Sequence, residues 1–245
     1  FIISNNQAKN TKTKISLNVK GDNRKHIKIL LTNLCRAGYD LVSLKLNSKN
    51  SLQIIEETLH NLLPGFEIIK TTDNKCTIEY IGGIFADEKY DAIFRRSWLI
   101  IFELFNAIQE PSKNSDRIKI LHAQCNKLLN FCMRQNFIHS EDKKLKQAYI
   151  LVLNYLIDIC SILKLINENI FRNKNYKNTL KISEKLYRKI YDGFYSNNVE
   201  KIQNVQESTN RLIKKCFQSK KTQTIVDHYI AQLIHTTYYL SSPIQ

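Results

Sequence analysis

Apolar positions follow two different rhythms along this chain. From Lys14 to Lys20 they alternate, with Ile15, Leu17 and Val19 on one side, which predicts a strand. Gly21-Asp22-Asn23 supplies a turn and a helix cap. Ile27, Leu30, Leu31 and Leu34 then recur at helical spacing and define one buried stripe. Arg36 closes that helix, where a cation suits the carbonyl end, and Gly38 stands where a left-handed residue ends it. A second strand follows, with Val42, Leu44 and Leu46 on one face and Ser43 and Lys45 on the other. Another turn and cap occupy Asn47 to Ser51. Leu52, Ile55, Leu59 and Leu62 predict a second helix, stopped by Pro64-Gly65. Phe66 to Lys70 and Cys76 to Ile81 read as a hairpin around Asp73-Asn74. The expected order is β-α-β-α-β-β, with two helices covering one face of a small mixed sheet.

Gly82-Gly83 marks a boundary, and from about Asp87 onward the period is helical. Phe94, Trp98, Ile101, Phe105 and Ile108 form one stripe, and Pro111-Ser112 interrupts it. Ile118, Leu121, Cys125, Leu128 and Cys132 form the next. Ser140 is the expected cap of a long helix, with Glu141 and Asp142 in its first turn. That helix carries a seam of Leu145, Tyr149, Val152, Leu156, Ile159, Leu163, Ile166 and Ile170. Three further helices are expected over about 178–195, 202–216 and from 222 onward. The fold class read from these patterns is α+β, a small α/β domain over 14–84 followed by an all-α domain of two three-helix units over 87–245. Phe1 to Ser4 reads as the end of another strand, followed by a polar linker through Thr13.

Composition changes this picture only in places. The chain has 245 residues and a formal net charge of +15. Such a charge suits a nucleic acid or an anionic membrane. The basic residues are scattered, however, and Lys, Asn and Ile are abundant throughout, which fits a bias in coding composition equally well. Six cysteines, Cys35, Cys76, Cys125, Cys132, Cys160 and Cys216, include no CxxC pair and fall mostly on apolar helix faces. They are expected to be reduced and buried, as in a cytoplasmic protein. No signal peptide precedes the first polar run, which points the same way. Ala148 to Ile166 is apolar enough to raise a membrane span, but Asn154, Asp158, Ser161 and Glu168 line the face opposite the seam. A central bundle helix explains that pattern better than a span does.

Candidate chemistry is sparse. His122 and Cys125 stand three apart and could reach one metal, yet no third ligand is near in sequence. His228 and His235 lie roughly 10 Å apart along a helix, too far to share an ion unaided. Asp87 with Asp91, and Glu200 with Asn204, read as first-turn residues favouring the helix dipole. No Ser-His-Asp set, phosphate loop or HExxH is present. Arg95 and Arg96 could contact an anion or a partner, or pair internally. The reading is of a non-enzyme without a cofactor.

Several strings in their order resemble the archaeal PhoU-like phosphate uptake regulators. Ala37-Gly38-Tyr39-Asp40 before an apolar strand resembles that family's helix-to-strand junction, and Leu63-Pro64-Gly65-Phe66-Glu67-Ile68-Ile69 its strand entry. Arg95-Arg96 resembles its helix start and Arg134-Gln135 the end of its second bundle helix. The resemblance implies a non-catalytic regulator with a cytoplasmic protein partner from a phosphate transport or signalling system. It implies that Phe1 to Thr13 are the remnant of an upstream AbrB-like DNA-binding hairpin and its linker, and that the full-length protein is a homodimer. Gly38, Tyr39, Asp40 and Gly65 would be structural, and Arg95, Arg96, Arg134 and Gln135 candidate partner or anion contacts. Bundles of the family bind metals through acidic motifs; Gln124 and Asn126 stand at the corresponding positions here, and amides bring no charge to such a site. No bound metal is expected. The alternative reading is a nucleic-acid-binding regulator whose own basic surface contacts DNA.

Overall fold

The computed structural model describes residues 12–82, 90–140, 142–169, 176–196, 207 and 225–241. The expected strand at Phe1 to Ser4 and the expected helix over 202–216 lie outside these residues, as do Gly83, Asp87, Ile170, Glu200, Asn204 and Cys216. The described elements are four strands and seven helices, a mixed α+β arrangement. They fall into two compact units, one formed by Phe1–Arg95 with Asn126–Lys146, the other by Arg96–Cys125 with Gln147–Gln245. Residues 126–146, which helical periodicity alone groups with the bundle, cluster with the sheet.

The first unit opens with β1 (Lys14–Asn18), α1 (Arg24–Arg36), β2 (Leu41–Lys45), α2 (Lys49–Leu62), β3 (Phe66–Thr72) and β4 (Lys75–Tyr80). The strands lie in the order β1-β2-β4-β3. β1 runs parallel to β2, with Leu17 opposite Leu44, while β4 pairs antiparallel with both β2 and β3. Alternation decides which residues face the helices. Val42, Leu44, Cys76 and Ile78 point to one side and join Ile27, Leu31, Leu34, Ile55 and Leu59 in a single apolar core. Ser43, Thr77 and Glu79 take the opposite face, and Lys12 pairs there with Glu79.

Local signals set the element ends. The Asn23 side chain accepts from the His26 N–H at 3.1 Å, and the Ser48 hydroxyl accepts from the Asn50 N–H at 3.1 Å. Helix α1 closes in a Schellman motif, in which Tyr39 N–H donates to the Leu34 carbonyl and Gly38 N–H to the Cys35 carbonyl. Gly38 takes φ of 80° to permit it.

Helices α3 (Tyr90–Ile108), α4 (Pro111–His139) and α5 (Lys143–Asn169) follow, then α6 (Tyr176–Ser196) and α7 (Ile225–Leu240). Proline stands at the first position of α4, where its missing N–H costs nothing. Two sequence expectations need correction here. Ser140 does not cap α5; the Asp142 carboxylate does, accepting from the N–H groups of Lys144 and Leu145 at 2.8 and 3.2 Å. Leu145 is 39% exposed and outside the seam, because it lies within the first turn, ahead of the buried run that begins at Val152.

In the second unit, the stripe of α3 meets α6 through aromatic rings. Tyr187 is fully buried, packs against Trp98, Phe102 and Phe105, and donates its hydroxyl to the Trp98 carbonyl at 3.3 Å. Burial drives the Tyr187 hydroxyl well above its usual pKa. Tyr191 adds edge contacts to Phe102 and Trp98. Helix α5 is long and apolar enough to cross a membrane, yet Val152, Leu156, Ile159, Leu163 and Ile166 are buried within the protein. Asn154, Asp158 and Glu168 occupy its exposed face.

Candidate functional site

Residues 128–134, Leu-Leu-Asn-Phe-Cys-Met-Arg, are buried throughout. Two polar residues inside so apolar a run must find partners, since an orphaned buried polar group costs about 1–3 kcal/mol. Lys127, Asn130 and Arg134 stand at i, i+3 and i+7, so they share one face of α4. Each is aimed at a helix end of the sheet layer.

Lys127 donates to the His60 carbonyl at 3.3 Å, and the Asn130 amide donates to the Leu62 carbonyl at 3.0 Å, which satisfies two of the last carbonyls of α2. The Asn130 side-chain oxygen accepts from Arg36 Nε at 2.9 Å. Arg36 is itself partly buried, and that burial holds its guanidinium below the usual pKa. Arg134 completes the row at the end of α1. Its Nη1 donates to the Tyr39 carbonyl at 2.8 Å and the Cys35 carbonyl at 3.3 Å, while Nη2 pairs with the Asp40 carboxylate.

Arg134 is 1% exposed. Its guanidinium lies 4.2 Å from the centre of the Tyr80 ring and 5.1 Å from that of Phe66, positions suited to cation–π attraction. The other carboxylate oxygen of Asp40 accepts from both the N–H and the hydroxyl of Thr13, each at 2.9 Å. The Gly38 carbonyl lies 2.7 Å from the same hydroxyl and shares its one proton with Asp40. One arginine and one aspartate thus tie together the start of β1, the α1–β2 junction, the β3–β4 hairpin and α4.

Gly65 makes room for this knot. Its φ is +83°, and a Cβ there would sit 2.6 Å from Cε2 of Tyr80 and 2.8 Å from the Gly82 carbonyl oxygen. Only glycine lets the chain close around the ring that carries Arg134.

The electrostatics favour a fixed structural centre over a reactive one. Burial pushes the Cys35 thiol up to about 12, with Arg134 and Arg36 opposing only in part. Few thiolates exist there at neutral pH, so Cys35 is a poor nucleophile. Burial likewise raises Tyr80, again with Arg134 opposing. Burial, then the charge of Arg134, lowers His139.

An open cleft of about 770 Å³ lies beside the knot, lined by Glu56, His60, Gly65, Glu67, Ile81 and Lys127 among others. Two carboxylates, one ammonium and one imidazole leave no concentrated charge of either sign. No group of three His, Cys, Asp or Glu residues able to hold a metal occurs among the described residues.

The sequence-marked residues fare unequally. Gly38, Tyr39, Asp40, Gly65 and Arg134 converge on the knot. Gln135 is half-buried beside Arg134, while Arg95 and Arg96 are exposed on α3. Arg134, expected as a candidate contact for a partner, is turned inward and bonded there. Cys125 is buried with its thiol toward the Ser97 carbonyl, and His228 and His235 share the exposed face of α7 with Tyr239. Asn130 escaped the sequence reading; the signal for it was a lone amide in an apolar run. Comparison of the chain with protein-family models, with curated proteins and with solved structures finds no match.

Proposed function

We propose that the protein is a non-catalytic regulator of phosphate uptake or phosphate signalling that works through a protein partner, with its helices arranged as two three-helix units in the PhoU manner. One observation carries the reading. Three of the four strings that carry the resemblance, Gly38-Tyr39-Asp40, Pro64-Gly65-Phe66 and Arg134-Gln135, meet around a single buried guanidinium, while Arg95-Arg96 is not among its contacts. Their shared use supports a common architecture with the family they resemble. On this reading the knot holds the sheet layer rigid, and the exposed Arg96 meets the partner.

Deleting the gene in its source organism tests the proposal. Phosphate uptake at high external phosphate should rise, and affinity purification of the tagged chain should recover a component of a phosphate transport or signalling system. Unchanged uptake, together with no such component recovered, would sink it.

A further inference from the structure

Helix α1 carries exposed Arg24, Lys25 and Lys28 and no acid, and helix α6 carries the longer row of exposed lysines. Lys177, Lys181, Lys185 and Lys189 are all exposed, stand at i, i+4, i+8 and i+12, and have no ion pair among the described residues. The acid inside the row, Glu184, is already taken by Arg188 at 3.2 Å and by the Gln109 amide at 3.5 Å. Arg188 is in turn held over the Phe102 ring at 4.3 Å. Asp192 stands only at the far end of the row. The opposite face of α6 is locked into the protein by Leu180, Ser183, Leu186, Tyr187 and Ile190, so the lysine face cannot turn inward.

Each step along the row rises about 6 Å, and the four lysines span about 18 Å. Four residues overshoot a full turn by roughly 40°, so the row winds gently, within the reach of long flexible stems. A partner must therefore offer negative charge continuously over about 18 Å. Duplex nucleic acid carries one charge per roughly 1.7 Å of axis, so every ammonium finds a phosphate whatever the register. An acidic protein helix would need its carboxylates in matched register. A protein interface would also need an apolar centre, and this face offers Ile182 within the row and Tyr195 only beyond its end. Lysine, a point charge without a planar fork, suits backbone phosphates and reads no bases.

We propose that the exposed lysine row of α6 binds the phosphate backbone of a nucleic-acid duplex without sequence preference. This stands independently of the regulator reading above, and neither requires the other.

The test is fluorescence anisotropy of the whole chain with a 20-base-pair DNA duplex of scrambled sequence, over a series of salt concentrations. Neutralising four phosphate contacts with K177Q/K181Q/K185Q/K189Q should reduce the slope of log affinity against log salt by about 3.6. The matched control K25Q/K28Q/K70Q/K75Q removes four exposed lysines elsewhere and should reduce it by less than 1. Single K181Q and K185Q variants should each lower the slope by about 0.9, which keeps the test alive if the fourfold variant misfolds. Equal losses in the row and control variants overturn the proposal, because binding would then be diffuse. So does absence of salt-dependent binding by the wild-type chain. Displacement of the duplex by polyglutamate at equal charge concentration overturns it in favour of an acidic polypeptide.

Discussion

Replacing Arg134 with methionine preserves most of the buried volume and removes the guanidinium. The cost can be worked from the partners left behind. The Cys35 carbonyl keeps a donor, because Gly38 N–H reaches it at 3.0 Å. The Tyr39 carbonyl loses Arg134 and is orphaned, at about 1–3 kcal/mol. Asp40 keeps both bonds from Thr13 and is 25% exposed at its side chain, so its loss falls short of the 3–5 kcal/mol typical of a fully buried pair. The contacts to Tyr80 and Phe66 add about 1 kcal/mol. With about 1 kcal/mol for the partly exposed Asp40 pair and the middle of the carbonyl range, these give about 4 kcal/mol. In amide hydrogen exchange, peptides covering residues 30–46 should then exchange roughly 10²–10³ times faster, at 1.36 kcal/mol per factor of ten. Arg134→Lys restores the charge but not the fork, and should lie between methionine and wild type. Exchange within tenfold of wild type in the methionine variant would refute the knot as the feature that locks the sheet layer to α4.

Gly65→Ala should lower the melting temperature by several degrees, since the left-handed backbone and the 2.6 Å approach to Tyr80 both oppose a Cβ; an unchanged melting curve contradicts that geometry. Desolvation by the neighbouring helix surface holds the carboxyl of the exposed Asp158 above its ordinary value of 3.8. Below that value the carboxyl is neutral in folded and unfolded chains alike, and the penalty grows as pH rises through the folded value. Asp158→Asn should therefore be slightly more stable than wild type at pH 7 and indistinguishable below pH 3.8, as read by urea midpoints; a difference independent of pH disproves the assignment. Cys35, Cys76, Cys125, Cys132 and Cys160 are buried, and burial raises Cys76 to about 11. Mass spectrometry after treatment with a thiol reagent at pH 8 should find these five unmodified until denaturant is added, and fast labelling of Cys35 would show the knot to be open.

The α/β layer was legible because its signals are local. Asn23, Ser48, Gly38 and Pro64-Gly65 act on backbone within a few residues, and the period-two faces of β2 and β4 declare their own burial. The α3 stripe was legible for the same reason, since five apolar residues at helical spacing have few other uses. The knot was not. Arg134 and Asp40 were each marked, but as separate strings, and nothing in local pattern tells an arginine whether its partner is solvent or a carboxylate 94 positions away. The cap of α5 failed by two residues, because serine and aspartate are both good caps and the geometry of the preceding turn chose between them. The lysine row was present in the sequence, but diluted by a charge that is high everywhere.

The 94-residue separation between Asp40 and Arg134 has a consequence during synthesis. A chain emerging at about 5–20 residues per second makes Asp40 roughly 5–20 seconds before Arg134. Throughout that interval the α1–β2 junction exists without the guanidinium that closes it, and the last carbonyls of α2 lack Lys127 and Asn130. The residues of the sheet layer are thus all synthesised well before the ones that complete its bonding. Its vulnerable period is set by translation, and a pause between codons 40 and 134 would lengthen it directly.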